Sequence, residues 1–362
     1  MESTRGNHAE RLTPGFQVVD LGAEARKKWE AEPVTDDAPP VVQDMTINNL
    51  TTNVIAVCSH IHDNPRLQYL ITKLIQVSHD FVRDVELNFD EWTAAWEFLT
   101  RVGQCSDDVR HEMVLLSDIL GISALVDAIS HPHKPGSTES SILGPFRDEV
   151  GQFVENGAAI IKEGTFGEAT LVRGQIRAIS GEPVKKALID IWETDGHGAY
   201  DLEYTDQDGA NCRGKLYSDD DGRYAFTCIR PVAYPISNDG PVGELLRTLH
   251  RHWYRPAHMI TMFILTLIPQ TALYVLHPEY NKLITALYSR DSKYIESDTV
   301  FGVKSSLIVD YEFAKDLQLA KHYGLKTFKR AIDGSEHEGF WLLEFDFTLT
   351  EMEDLPSAKV HD

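Results

Sequence analysis

The spacing of apolar residues changes period part-way along this chain, and that change constrains the fold more than any other feature. Across residues 44–129 apolar positions recur every three or four residues. Leu67, Leu70, Ile71, Leu74, Ile75 and Phe81 form one helical stripe; Trp92, Ala95, Trp96 and Leu99 form another. Beyond residue 141 the segments ATLVRGQIRAI, KKALIDIWET, GRYAFTCI and GFWLLEFDFTL alternate or run apolar over strand lengths, separated by Gly, Asp and Pro turns. Side chains repeat about every 3.6 residues on a helix and every two on a strand, so the two patterns belong to different layers. The prediction is an α+β protein, a helical N-terminal domain followed by an all-β sandwich. No long helices lie between the strands, which excludes βαβ units.

Local signals set the boundaries. Residues 1–43 are polar, end in TDDAPP, and read as a disordered tail. Asn64 followed by Pro65 predicts a helix N-cap with proline in the first turn. Asn88 with Glu91 predicts a capping box. A further helix is expected over about 107–120, stopped by Gly121. HPHKPGSTESS (131–141) reads as a linker. The expected domains are residues 44–131, helical, and 132–362, the β-sandwich. The Trp and Leu stripes are expected to lie in the core.

Charge and cysteine usage narrow the function classes. Acidic residues number 56 against 34 basic, a net charge of −22. Such a surface repels phosphate backbones and anionic lipid, so nucleic acid is not an expected partner. Cys58, Cys105, Cys212 and Cys228 show no CxxC spacing and are expected to be buried reduced thiols, as suits the cytoplasm. The N-terminus shows no apolar core of signal-peptide length. Residues 260–276 (ITMFILTLIPQTALYVL) are apolar throughout, but Pro269 and Gln270 interrupt a run already short for a membrane span. A buried strand pair or helix is expected there, and no membrane span.

Four segments in the β region carry chemistry: SILGPF (141–146), DIWETDGHGAYD (190–201), IRPVAYPISNDGPVGELL (229–246) and HRHWYRPAH (250–258). Taken singly, Tyr200, Tyr234, Arg255 and His258 are each ordinary core or ion-pair residues. Together, W-x-x-x-x-x-G-x-Y, R-P-x-x-Y-P-I-x-x-D-G-P-V-G-x-L-L and R-H-x-x-R-P-A-H resemble the intradiol ring-cleavage dioxygenases of the hydroxyquinol and catechol 1,2-dioxygenase branch. NVIAVCS, FLTRVGQ, LLSDILG and LVDAI resemble that branch's N-terminal dimerisation domain, and the likeness continues through YSRDSKYIESDTVFGVKSSL to FDFTL.

The resemblance implies a homodimer whose subunits bind Fe(III) and use O2 to open a small aromatic diol or triol into a cis,cis-muconate-type product. By the same likeness Tyr200, Tyr234 and His258 are metal ligands. Tyr234 is also the ligand that leaves and takes a proton from the diol, and Arg255 stabilises negative charge on the ring. Ile142, Leu143, Gly144, Pro145, Phe146, Pro235 and Ile236 would wall the ring. Phenolates and imidazoles suit ferric iron, whose charge forces a bound tyrosine to ionise. The helical region and SILGPF lean towards hydroxyquinol.

One position departs from the family pattern. Where R-P-A-H-x-H is expected, this chain reads Arg255-Pro256-Ala257-His258-Met259-Ile260, so an imidazole ligand is replaced by hydrocarbon. An apolar insertion follows directly, before HPEY (277–280). Coincidence at one point suggests a single event, a short intron translated in frame; a mature transcript encoding the stretch unbroken would exclude that. Otherwise the divergence is genuine. Then either His250, His252 or His277 completes the site, or the chain is a catalytically silent homologue serving as a catechol-binding or regulatory module.

Overall fold

The computed structural model describes residues 44–58, 64–107, 110–144, 152–205, 209–264 and 280–351. Five helices come first: α1 (Leu50–Cys58), α2 (Pro65–Asp84), α3 (Phe89–Gln104), α4 (Glu112–Ile119) and α5 (Ile122–Ser130). The expected caps are present. Asn64 Oδ1 accepts from the Leu67 amide with Pro65 in the first turn. Asn88 Oδ1 accepts from the Glu91 amide at 3.0 Å, while Glu91 Oε2 accepts from the Asn88 amide at 3.1 Å. The helix expected over 107–120 starts later, at Glu112. Gly121, at φ 73°, stops it and opens the next helix, a left-handed joint that favours glycine.

Two expectations fail. The Leu and Trp stripes are not core: α2 has no buried residue, and Leu74, Val77, Phe81, Trp92 and Trp96 are all exposed. A 3.6-residue period marks one apolar face without saying what covers it. Of the cysteines, all free, Cys212 and Cys228 are buried, but Cys58 is exposed and Cys105 is half-buried.

The described residues fall into two compact units, divided between residues 94 and 95. The second contains α4, α5, two large sheets and a two-stranded one. One sheet has β10 (Glu312–Ala314), β12 (Ser335–Glu344), β1 (Ala169–Ala178) and β13 (Phe347–Leu349) in that order. To it β11 (Phe328–Ile332) adds by pairing β12, and β4 (Arg223–Ile229) by pairing β1. The other runs β3 (Arg213–Tyr217), β2 (Leu188–Trp192), β7 (His258–Ile264), β8 (Leu283–Ser289), β9 (Ile308–Val309). Val172, Ile176, Phe226 and Phe347 of the first meet Ile189, Ile191, Met259, Phe263 and Leu287 of the second in one buried cluster. This is the sandwich.

Strand β7 lies in the middle of its sheet, antiparallel to β2 and β8, with His258 opposite Tyr288 and Ile260 opposite both Ala286 and Trp192. Alternation sends Met259 and Phe263 into the sandwich core and leaves His258 and Ile260 on the outer face. The apolar stretch therefore supplies a central strand up to Ile264, and Pro269 lies outside the described residues. Among those residues no single helix is long and apolar enough to cross a membrane.

Candidate active site

The outer face of β7 is the floor of the site. Tyr200 follows a tight loop after β2 whose shape Asp195 holds: its Oδ1 accepts from the His197 and Ala199 amides and its Oδ2 from the Tyr204 hydroxyl at 2.6 Å. Glu203 Oε2 accepts from the Tyr200 amide at 2.7 Å. Tyr234, on β5 (Tyr234–Pro235), pairs directly with Arg255 on β6 (Tyr254–Arg255). These supports bring the two phenol oxygens to 3.0 Å, with the rings at 89°. The His258 ring centroid lies 5.4 Å from that of Tyr234. All four side chains are buried.

Hydrogen bonds fix the imidazole. His258 Nδ1 donates to the Pro256 carbonyl at 2.7 Å, which turns Nε2 towards the Arg255 Nη1 donor at 2.9 Å. Burial, then the Arg255 charge, lowers the His258 pKa to about 3, so the ring is neutral with an accepting Nε2. Burial raises both tyrosines above their ordinary value. For Tyr200 the neighbouring phenol adds to the rise, while for Tyr234 Arg255 partly offsets it. Burial is the largest influence on the Arg255 charge and opposes it, but Asp298 together with Tyr234 and Tyr288 outweighs burial and keeps the guanidinium protonated.

A cavity of about 350 Å³ opens onto this group, lined by Tyr234, Arg255, Ile142, Gly144 and Ile236, among others. Leu143 packs beside it against the Trp192, Tyr200 and Ile260 cluster, without lining the cavity. Pro235 stands exposed at the edge of β5 and lines nothing there. Pro145 and Phe146 lie outside the described residues.

Sequence spacing missed the upper wall. Leu115 and Asp118 of α4 line the cavity from above, and Val300 closes another side. Helix α4 is held there by buried Glu112, whose Oε1 accepts from the Val242 amide at the start of α6 (Pro241–Thr248) and whose Oε2 pairs with Arg110. Burial raises the Asp118 carboxyl above the usual range despite the nearby Arg255 charge. LLSDILG carries this residue, but nothing in its helical period says that the Asp faces a cavity.

The chain matches the family described as "Dioxygenase" over residues 143–350 and "Catechol dioxygenase N terminus" over residues 64–138. The chain belongs to the intradiol ring-cleavage dioxygenases. It is 43% identical over 323 residues to an intradiol ring-cleavage dioxygenase of Aspergillus niger, covering 89% of this chain and 90% of that one. Identity to a hydroxyquinol 1,2-dioxygenase of a Rhizobium species is 39% over 289 residues, covering 79% and 90%. The solved hydroxyquinol 1,2-dioxygenase of Pseudomonas putida superposes with a TM-score of 0.71 at 36% identity, covering 84% of this chain and 98% of that one.

The family is known for non-haem iron, and the donors fit a hard trivalent cation in part. Two phenols and a neutral imidazole are the right chemistry, and phenols whose pKa burial has raised ionise there only beside a strong positive charge. The fourth direction is closed. Ile260 shares the His258 face of β7, packs with Tyr200 and Tyr234, and points its Cδ1 towards the Gly144 loop. Neither of the two described substitutes fills the gap: both His252 nitrogens are engaged, by the Ser297 hydroxyl and the Tyr254 amide. His252 and His250 line a different cavity, and His277 lies outside the described residues. Among the described residues no cluster of three His, Cys, Asp or Glu forms a metal site of another kind.

Proposed function

We propose that this protein is an intradiol dioxygenase that opens hydroxyquinol or a closely related aromatic diol with O2, using ferric iron held by Tyr200, Tyr234 and His258. The observation carrying the reading is the pairing of Tyr234 with Arg255 at the floor of the cavity, with the Tyr200 oxygen 3.0 Å behind. Ferric iron there would supply the positive charge that keeps the phenols and a bound diol ionised.

The chain's own groups then have distinct tasks. Ile142, Gly144, Ile236 and Leu115 form an apolar slot that receives a flat ring and excludes water. Tyr234 Oη, once ionised, takes the proton of a diol hydroxyl. Arg255 stands beside it as a fixed cation, placed to stabilise negative charge spreading into the ring. Glu203 and Asp195 hold Tyr200 in place through its backbone and loop. Asp118 gives the upper wall an acceptor for a third ring hydroxyl, and this favours a triol over catechol. The relatives named hydroxyquinol 1,2-dioxygenases lean the same way.

The exposed apolar stripe of α2 supports the further reading that residues 44–131 form a dimerisation domain of a homodimer, and a cytoplasmic location belongs to the same proposal. Oxygen uptake and ring-opened product, measured on iron-replete protein with hydroxyquinol and with catechol, test the activity. Consumption with hydroxyquinol preferred is expected. No product from either substrate, with iron bound, would overturn the reading.

A further inference from the structure

We infer that Asp298 is a positioning residue that aims Arg255 into the cavity; the inference rests on the reading of that cavity as a diol site. Asp298 is buried and does not line the cavity; it lies behind the guanidinium, on the segment between β8 and β9. Its Oδ1 accepts from Arg255 Nε at 3.3 Å and from the Val300 amide at 3.3 Å. Its Oδ2 accepts from Nη2 at 3.4 Å and from the Gly302 amide at 2.9 Å. One carboxylate thus ties the guanidinium to the backbone of a turn.

A second brace meets the same edge. Nη2 also donates to the Tyr288 hydroxyl at 3.2 Å, and that hydroxyl is bonded to Ser141 Oγ at 2.9 Å. Ser141 Oγ donates in turn to the Gly302 carbonyl at 3.0 Å. The turn approaches so closely that a Cβ on Gly302 would lie 2.7 Å from the Tyr288 oxygen, 3.0 Å from Nη2 and 3.2 Å from Asp298 Oδ2. A guanidinium is planar, so holding Nε and Nη2 fixes the direction of the remaining nitrogen. Nη1 is the one left facing His258, and Arg255 lines the cavity. Without Asp298 the cation stays in the pocket but keeps only the Tyr288 brace, which holds Nη2 and leaves Nε free.

The test uses the full chain and the variants Asp298→Asn, Arg255→Lys and both together. Asparagine keeps an oxygen for one of the two turn amides while removing the carboxylate, and thermal melting verifies that each variant is folded. Two readouts are taken: hydrogen exchange at the Arg255 Nε–H by NMR, assigned by its loss in Arg255→Lys, and the affinity for 4-nitrocatechol. Asp298→Asn is expected to speed that exchange and weaken affinity, each at least tenfold. In the Arg255→Lys background the same change should cost less than twofold, because the two residues act through one another. Unchanged exchange in Asp298→Asn, or losses that multiply in the double variant, would overturn the inference. Faster exchange in Asp298→Asn, with no 4-nitrocatechol binding by the wild type, would uphold the positioning and defeat the diol reading instead.

Discussion

Replacing Ile260 by histidine should have opposite effects on stability with and without metal. Ile260 is 2% exposed and packs with Tyr200, Tyr234 and Tyr288. Two residues along a strand span about 6.6 Å on one face, so an imidazole at 260 would meet the donors that His258 already faces. In metal-free protein the change removes a packed aliphatic side chain and buries a polar ring. Unpaired polar burial costs about 1–3 kcal/mol, equivalent to roughly 2–12 °C in melting temperature for a unit of this size. With ferric iron the balance reverses. Second-shell changes at metal sites are worth about 10–100-fold, and a direct ligand should exceed that, so about 100-fold tighter retention or more is expected, roughly 2.7 kcal/mol. The assay is scanning fluorimetry with and without iron, together with iron content and the visible tyrosinate band after dialysis against a chelator. Ile260→His should melt below the wild type when metal-free, above it when loaded, and keep its colour for longer. Equal iron retention by the wild type would refute the argument that the site lacks a donor.

Four further outcomes follow from other parts of the molecule. Asp118→Asn should raise KM for hydroxyquinol about tenfold and leave catechol nearly unchanged, the worth of one hydrogen bond; steady-state kinetics with both substrates decides, and equal effects would refute the role. Burial raises the Glu193 carboxyl well above its ordinary value, so the folded state holds a proton that the unfolded state has released, and stability falls as pH rises from about 4.5. Glu193→Gln should therefore stabilise relative to wild type by up to about 1.4 kcal/mol per pH unit above that point, measured by urea unfolding; a pH-independent difference would contradict it. Gly302→Ala should cost about 1–3 kcal/mol of stability and most of the activity, because its methyl meets the Tyr288 oxygen and the guanidinium; near-wild-type turnover would refute the close approach. Leu74→Glu, on the exposed stripe of α2, should shift the protein from dimer to monomer in sedimentation, and an unchanged state would argue against that face.

How far the sequence could be read depended on whether a signal was local. Asn64-Pro65 and Asn88 with Glu91 satisfy amides within three residues of themselves, so spacing alone was enough to find both caps. Alternation likewise found β1, β2 and β4, while the segment GFWLLEFDFTL proved to be the end of β12 and the whole of β13. Asp118 and Asp298 were invisible because each matters through a neighbour far along the chain, and no period encodes which face of α4 meets Arg255 or where the turn after β8 folds back. The Trp and Leu stripes misled for a related reason: amphipathic spacing says that a face is apolar and not what lies against it.

Ile260 shows why a damaged site need not look like a damaged fold. A β-branched residue suits a central strand at least as well as histidine does. The core-facing neighbours Met259 and Phe263 keep their places, and pairing to both flanking strands continues through Ile260 unbroken. The sandwich core therefore pays nothing for the change. The whole consequence falls on the outer face of β7, where hydrocarbon meets two phenols and an imidazole. Folding measurements on metal-free protein would register Ile260 as a sound core residue, and only iron retention reveals what its position lacks.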